Sequence, residues 1–403
     1  MGMLYTPYFF IFANNETHMN VTNCLLPSII TDCMKPGRLK IDKVLYRLGA
    51  ITFLVFLCPS ISHAQAPKYS NEFMAIGVGA RSLGMSNAMV ASVNDATAGY
   101  WNPAGLLRIE SNIQLALMHA EYFAGIAKYD YASFATPIDS NSALGMSLIR
   151  FGVDDIPNTT ELIDANGNVD FDRITSFSAV DYGFLLSYAR KAPFLPGLRY
   201  GVNAKVIHRK VGDFARAWGF GLELGAQYEW GPWQFGVMGR DLTSTFNAWS
   251  YSLSDQMQQV FAATGNEIPE NSLEITLPRF QFGAARMIEF KQKFSLLAEL
   301  NVDITSDGKR NVLIAAHTFS ADPHMGLELG YNKMIFLRGG VGNIQKVTNL
   351  DGEQERTFQP NLGLGLKLKR LSIDYAMTDI GDQSVAIYSN IFSLKLDIVR
   401  TDK

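Results

Sequence analysis

Four histidines beyond residue 64 are the side chains most able to bind a metal or move a proton. They are His119, His208, His317 and His324. No two of them form an H-x-x-x-H pair, which would place both imidazoles on one face of a helix. The run TFSADP separates the last two and leads from a predicted loop into a predicted strand. The spacing therefore predicts no metal site.

Acidic and serine residues also fail to form a recognisable catalytic or calcium-binding pattern. The run DANGNVD at 164–170 follows Asp154 and Asp155, but Thr175 stands where a calcium loop needs a glutamate. Its Asn-Gly pair favours a solvated turn. No serine lies in a G-x-S-x-G elbow, the strand-to-helix turn of serine hydrolases. We therefore predict no enzyme activity and no cofactor.

The composition excludes several other classes of protein. The 403 residues include 35 lysines and arginines against 38 acids, so no basic surface for nucleic acid is expected. Mean hydropathy is +0.03, far below that of a polytopic helical membrane protein. Gly77, Gly79 and Gly84 have the spacing G-x-G-x4-G, and no strand-helix-strand unit surrounds them, so a nucleotide loop is not predicted.

The N-terminal region carries a predicted signal peptide. The apolar run 48–61 follows five basic residues and precedes Ser62-His63-Ala64, and it is too short to cross a bilayer core of roughly 30 Å. We predict a signal peptide at 34–64, cleavage between Ala64 and Gln65, and a non-physiological extension at 1–33. All three cysteines precede the cut, so no disulfide is expected.

From Ile113 onward the chain alternates apolar and polar residues with the period of a β-strand. In 361–369, leucines at 362, 364, 366 and 368 alternate with glycines and lysines. We predict fourteen strands, mostly of the length that tilted bilayer crossings need. They span 113–122, 126–136, 143–152, 180–190, 198–210, 215–229, 233–240, 278–289, 293–304, 322–332, 334–343, 358–369, 371–378 and 388–399.

Short turns and longer loops alternate between these strands, which is typical of an outer-membrane barrel with its long loops outside the cell. The longest loops are 153–179, 241–277, 305–321 and 343–357. The predicted fold is all-β, a transmembrane antiparallel barrel of 14 strands over residues 113–403, with lipid as its outer environment. Residues 65–112 do not alternate and are predicted to form a plug inside it.

The plug segment carries a family resemblance. Its motif residues are Gly79, Arg81, Gly84, Asn94, Asp95, Trp101, Asn102, Pro103 and Gly105. This motif closely resembles that of the PorV/PorQ outer-membrane proteins of Bacteroidetes, which are similar to FadL-type fatty-acid channels. The resemblance implies a 14-stranded barrel in a Gram-negative, Bacteroidetes-like outer membrane. It also implies work in the type IX secretion system, with the translocon, the attachment subunits and the C-terminal sorting domains of secreted proteins as partners.

The loop 241–277 is unusually apolar for a surface loop. Six residues are the candidates for partner contact: Phe246, Trp249, Tyr251, Met257, Val260 and Phe261. The last three share one face of a predicted short helix. A lid that packs on neighbouring loops and a partner-binding patch both explain this composition.

The function predicted from sequence is binding, in which extracellular loops hold a secreted protein or a secretion subunit. The alternative is a FadL-like passive channel for hydrophobic small molecules. A contiguous apolar lumen would favour the channel, whereas the predicted inward residues include Lys205, Glu299 and Glu328. A surface enzyme is a third hypothesis without a supporting cluster of residues.

Overall fold

A computed structural model describes residues 70–399, apart from 160–161, 163–168, 264, 266, 349–350, 379 and 381–387. The predicted extension, the signal peptide and the Ala64–Gln65 cleavage site lie outside the described residues, as do most residues of the acidic run 164–170. Among the described residues, no helix is both long and apolar enough to cross a membrane.

The described residues form one continuous antiparallel sheet. Numbered along the chain, its strands are β1 (Ile113–Tyr122), β2 (Ala127–Pro137), β3 (Ser142–Asn158), β4 (Thr175–Lys191), β5 (Leu198–Val211), β6 (Ala215–Trp230), β7 (Trp233–Arg240), β8 (Phe246–Tyr251), β9 (Ser272–Ile275), β10 (Arg279–Phe290), β11 (Phe294–Thr305), β12 (Ile314–Ala315), β13 (Ser320–Tyr331), β14 (Ile335–Thr348), β15 (Gln354–Leu368), β16 (Leu371–Thr378) and β17 (Ser389–Ile398).

Fourteen of these strands close into a barrel, which confirms the predicted fold class. The last strand pairs with the first, from Ile113 opposite Ile398 to Glu121 opposite Asn390. β7 pairs directly with β10, so β8, β9 and β12 lie outside the ring of fourteen. Closure leaves no unpaired edge, which is the condition for a sheet to exist in lipid.

The barrel wall is apolar outside and mixed inside, where Met118, Tyr129 and Ile149 of β1–β3 pack against the plug and other strands carry buried polar and charged side chains. On β15, Leu362 and Leu364 are more than half exposed on the outer surface, whereas Asn361 on the inner face of the same strand is buried. Trp230, Trp233, Phe290 and Tyr331 are exposed where strands meet tight turns, as in the aromatic girdles of outer-membrane barrels. The rim with tight turns is therefore the periplasmic one, and the rim with long loops is extracellular.

The structure differs from the predicted strand bounds at the extracellular rim. β3 and β4 extend to Asn158 and back to Thr175, beyond a bulge between Val153 and Ile156. β14 likewise continues to Thr348 past a bulge at Gly342–Gln345. Above the lipid both faces of a strand meet water, so the apolar parity that revealed the strands ends before the pairing does.

The loop 241–277 contains β8, β9 and the helix α3 (Asp255–Ala263), where only the helix was predicted. β8 pairs with the first six residues of β6, while β7 pairs with its last seven. Asp241–Thr245 therefore interrupts a line that would otherwise be one long strand beside β6. The run 311–319, predicted as loop, contributes the two-residue strand β12 beside β13.

Candidate functional site

The plug consists of short helical turns that fill the barrel. They are a 3-10 turn at Glu72–Met74, α1 (Ala80–Leu83), α2 (Ala98–Trp101) and a 3-10 turn at Pro103–Arg108. Small side chains predominate because the lumen leaves little room. Gly77 and Gly79 have φ of +105° and +87°, a left-handed conformation that L side chains rarely adopt.

Arg81 and Asp95 attach the plug to the wall by ion pairs. Arg81 Nε and Nη2 donate to both carboxylate oxygens of Glu328 at 2.8 and 3.0 Å, and its Nη1 donates to Asn94 Oδ1. Asp95 Oδ2 accepts from Lys395 Nζ at 2.8 Å. Burial alone would raise the pKa of Asp95, but Lys395 and Arg81 together lower it below the ordinary value. The carboxyl therefore stays ionised and the plug stays paired.

The Trp101-Asn102-Pro103 turn forms a second attachment. Asn102 Nδ2 donates to the carbonyls of Val90 in the plug and Ala226 in β6, both at 3.0 Å. Its Oδ1 accepts from Ala104 N and so caps the following 3-10 turn. Trp101 Nε1 donates to Val78 O at 2.9 Å. One asparagine thereby binds two plug segments and the wall.

Wall glycines let the plug approach closely. A Cβ on Gly225 would lie 2.8 Å from Pro103 Cδ, and one on Gly326 would lie 2.6 Å from Met85 Cβ. Within the motif, a Cβ on Gly84 would lie 3.0 Å from Gly363 Cα, and one on Gly105 would lie 2.5 Å from Val93 O. We call Gly84, Gly105, Gly225 and Gly326 the glycine seam; because these positions carry no side chain, plug and wall, and at Gly105 two plug segments, come close together.

Buried charge also marks the interruption between β7 and β8. Lys205 Nζ donates to Glu223 Oε1 at 2.8 Å and to Asp241 Oδ1. Asp241 begins the interruption with a positive φ of 54° and also accepts from Thr245 Oγ1. Lys205 and Glu223 are 1% and 0% exposed. The interior is therefore ionic at this level too.

The six apolar loop residues do not form one exposed surface. Phe246 faces outward and is 42% exposed. Trp249 turns inward, where its Nε1 donates to Glu274 at 2.8 Å and Arg209 lies over its ring, and Tyr251 stacks beside it. Met257, Val260 and Phe261 lie on α3 and are half-buried.

The structure separates the four histidines. His119 is exposed on the outer wall beside Asp130, and His208 stacks on Trp218. His317 is exposed, and His324 faces the lumen, where its Nε2 lies 3.2 Å from Asp303 Oδ1. Within the part of the chain that the structure describes, no three potential metal ligands come together.

A cavity of about 600 Å³ lies between the plug and the extracellular halves of β10, β11, β13, β14 and β15. Its lining includes Arg240, Arg279, Arg310, Asp303, Asp322 and His324, together with several side-chain amides. The sequence patterns alone did not identify these residues as one group. Inward parity on β10 and β13 was the available signal, but it cannot show which inward residues share a cavity.

Comparison with protein-family models finds no match, and comparison with curated protein sequences finds no relative. Solved structures are similar. The Pseudomonas putida toluene transporter TodX has a TM-score of 0.53 at 13% identity, with 80% of this chain and 98% of that chain covered. The Ralstonia pickettii toluene transporter TbuX has a TM-score of 0.50 at 14% identity, with 80% of this chain and 98% of that chain covered. The CymD monoaromatic hydrocarbon channel has a TM-score of 0.50 at 12% identity, with 81% and 99% covered.

These similarities establish the class of fold. The chain folds as a 14-stranded outer-membrane barrel with a helical plug at its N-terminal end, like TodX, TbuX and CymD.

Proposed function

We propose that the barrel binds proteins at its extracellular end as a component of the type IX secretion system. Its partners would be the translocon, the attachment subunits and secreted proteins that carry C-terminal sorting domains. The observation that carries the proposal is the set of buried charges in the interior, which lies beside an apolar cluster formed by the plug and β1–β5. Lys205, Glu223, Glu299 and Glu328 are all at least 94% buried within the lumen.

A charged interior disfavours the passage of hydrophobic molecules. An apolar ligand that moved between plug and wall would remove water and partners from these ions, and uncompensated burial of a charge is costly. Glu299 accepts from Ala91 N and Ser92 N at 2.8 and 3.1 Å, so movement of the plug would break bonds to a buried carboxylate. A barrel built in this way is suited to remain closed while its outer surface binds.

The motif supports the proposal from another direction. The residues that resemble the PorV/PorQ pattern include residues that hold the plug in place, namely Arg81, Asp95, Asn102, Gly84 and Gly105. A shared motif with a definite structural role is a better basis for a shared family than a shared barrel shape. The names of the partners rest on this resemblance.

The second candidate function is passage of hydrophobic small molecules. The observation that favours it is the structural similarity to the toluene transporters TodX and TbuX and to the monoaromatic hydrocarbon channel CymD. Passage through this chain would require a path that avoids the ion pairs of the lumen.

Affinity purification from the native outer membrane in mild detergent, followed by mass spectrometry, tests the proposal. We expect the tagged barrel to bring down a giant translocon barrel or secreted proteins with C-terminal sorting domains. A variant lacking α3 should recover less of them at equal expression. Recovery of the barrel alone, together with toluene uptake that depends on it in whole cells, would support the channel instead.

A further inference from the structure

The cavity above the plug has two walls of opposite charge. We call Arg240, Arg279 and Arg310 the arginine wall, and Asp303 and Asp322, with His324 beside Asp303, the acidic wall. The side-chain amides of Asn343 on β14 and of Gln359 and Asn361 on β15 also line the cavity. This cavity has no part in the protein-binding role proposed above.

The arginine wall places two like charges side by side. Arg240 and Arg279 are direct cross-strand partners with both side chains inward, an arrangement that is unfavourable for like charges. Arg240 is 6% exposed and donates only to neutral oxygens, Gln281 Oε1 at 2.7 Å and Tyr100 O at 2.9 Å. Within the described residues it forms no ion pair.

The other two arginines share a carboxylate from the plug. Arg279 Nη2 lies 3.4 Å from Glu72 Oε1, and Arg310 Nη1 lies 3.1 Å from the same oxygen. Arg310 also pairs with Asp307. Arg279 therefore has one long contact, to a carboxylate oxygen that also pairs with Arg310. Buried cations are normally paired, so this wall is suited to receive a further carboxylate.

The acidic wall contains one carboxylate with hydrogen-bond donors and one with an unsatisfied oxygen. Asp303 is engaged by His324 at 3.2 Å and by Gln281 Nε2 at 2.7 Å. Asp322 has no ion pair within the described part of the chain, and its Oδ1 is buried without a hydrogen-bond partner. A buried carboxylate oxygen in this state is stabilised by a donor, best a charged one.

We propose that this cavity binds a short zwitterionic peptide. The peptide carboxylate pairs with Arg240 and Arg279, and its α-ammonium pairs with Asp322. The volume of about 600 Å³ is in the range of small-ligand sites, and the amide side chains match the donors and acceptors of a peptide backbone. A neutral sugar would leave both charged walls unpaired, and an aromatic hydrocarbon would desolvate them.

The test uses the purified full-length barrel in detergent and isothermal titration calorimetry. The probe is trialanine, compared with N-acetyl-trialanine and trialanine amide. Each blocked peptide lacks one terminal charge, so we expect each to bind at least tenfold more weakly than trialanine. Toluene and maltotriose serve as apolar and neutral polar probes and should bind more weakly than trialanine.

Two variants locate the contacts. Arg279→Gln should weaken trialanine at least tenfold and reduce the difference between trialanine and its amide, since only Arg240 then remains for the carboxylate, while acetylation still matters. Asp322→Asn should abolish the effect of acetylation while amidation still matters. The matched controls are Arg216→Gln, exposed on the outer face of β6, and Asp213→Asn, whose side chain is fully exposed; both should bind as the parent does.

Some results would overturn the proposal. Equal affinity for trialanine and its doubly blocked form, or no binding heat at millimolar peptide, would show that the charged walls do not select a zwitterion. Tighter binding of maltotriose or toluene would assign the cavity to another class of ligand. Because purified barrel is used, these outcomes are independent of whether secretion partners are found in the membrane.

Discussion

Replacing Gly236 with alanine tests how closely the plug fits the wall. Gly236 lies on the inner face of β7, and a Cβ there would lie 2.6 Å from the carbonyl carbon of Val90 and 2.7 Å from Ala91 Cα. Val90 O would lie closer still, and ordinary contacts begin near 3.4 Å, so the plug backbone must move by about 1 Å. Overpacking of this kind costs about 1–3 kcal/mol. The fraction of molecules with the plug displaced should rise roughly 5- to 150-fold.

Gly339→Ala is the matched control, since a Cβ on Gly339 has nothing within 4 Å. Hydrogen exchange of residues 88–93, followed by mass spectrometry in detergent, reports plug displacement. Gly236→Ala should exchange faster by the factor above. Gly339→Ala should be unchanged, or slightly stabilised because alanine restricts the unfolded chain. Equal protection in the two variants would refute a tight plug–wall fit at this point.

Three further predictions concern the plug and the loop above it. The lowered pKa of Asp95 stabilises the folded protein at pH values above the ordinary pKa near 3.8. This contribution is lost as the pH falls through the folded-state pKa. Below about pH 4, the melting temperature should therefore fall more steeply in the parent than in Asp95→Asn. Asn102→Ala loses a cap and two carbonyl contacts, and urea unfolding should show a loss of about 1–3 kcal/mol, unlike Asn141→Ala in an exposed tight turn. Deleting α3 should leave heat-modifiable migration intact while partner recovery falls; unchanged recovery would exclude the loop as the partner surface.

The barrel was predictable because lipid imposes a strict pattern. Every second residue of a crossing strand must be apolar, so the bounds of β1, β7 and β16 could be read directly from alternation. β8 and β9 were missed for the same reason, since neither crosses the lipid. Phe246, Ala248 and Ser250 share the outward face of β8, a mixture with no apolar parity.

The site was less predictable because its contacts join distant parts of the chain. The motif located Arg81 and Asp95, but their partners Glu328 and Lys395 lie 247 and 300 residues away. Nothing local specifies that Arg240 faces Arg279. That pairing depends on the register of β7 against β10, across an insertion whose length does not determine where pairing resumes.

The measurement that tests the central claim most directly is site-specific crosslinking in the native outer membrane. No cysteine follows residue 58. In the mature chain left by the predicted cleavage after Ala64, Gln259→Cys on exposed α3 and Ser140→Cys at a tight turn therefore each give a unique thiol. With a thiol-to-amine crosslinker, the account predicts a protein adduct of the secretion machinery or its cargo at residue 259 and not at residue 140. Absence of any protein adduct at 259, with toluene uptake lost when the barrel is deleted, would contradict it.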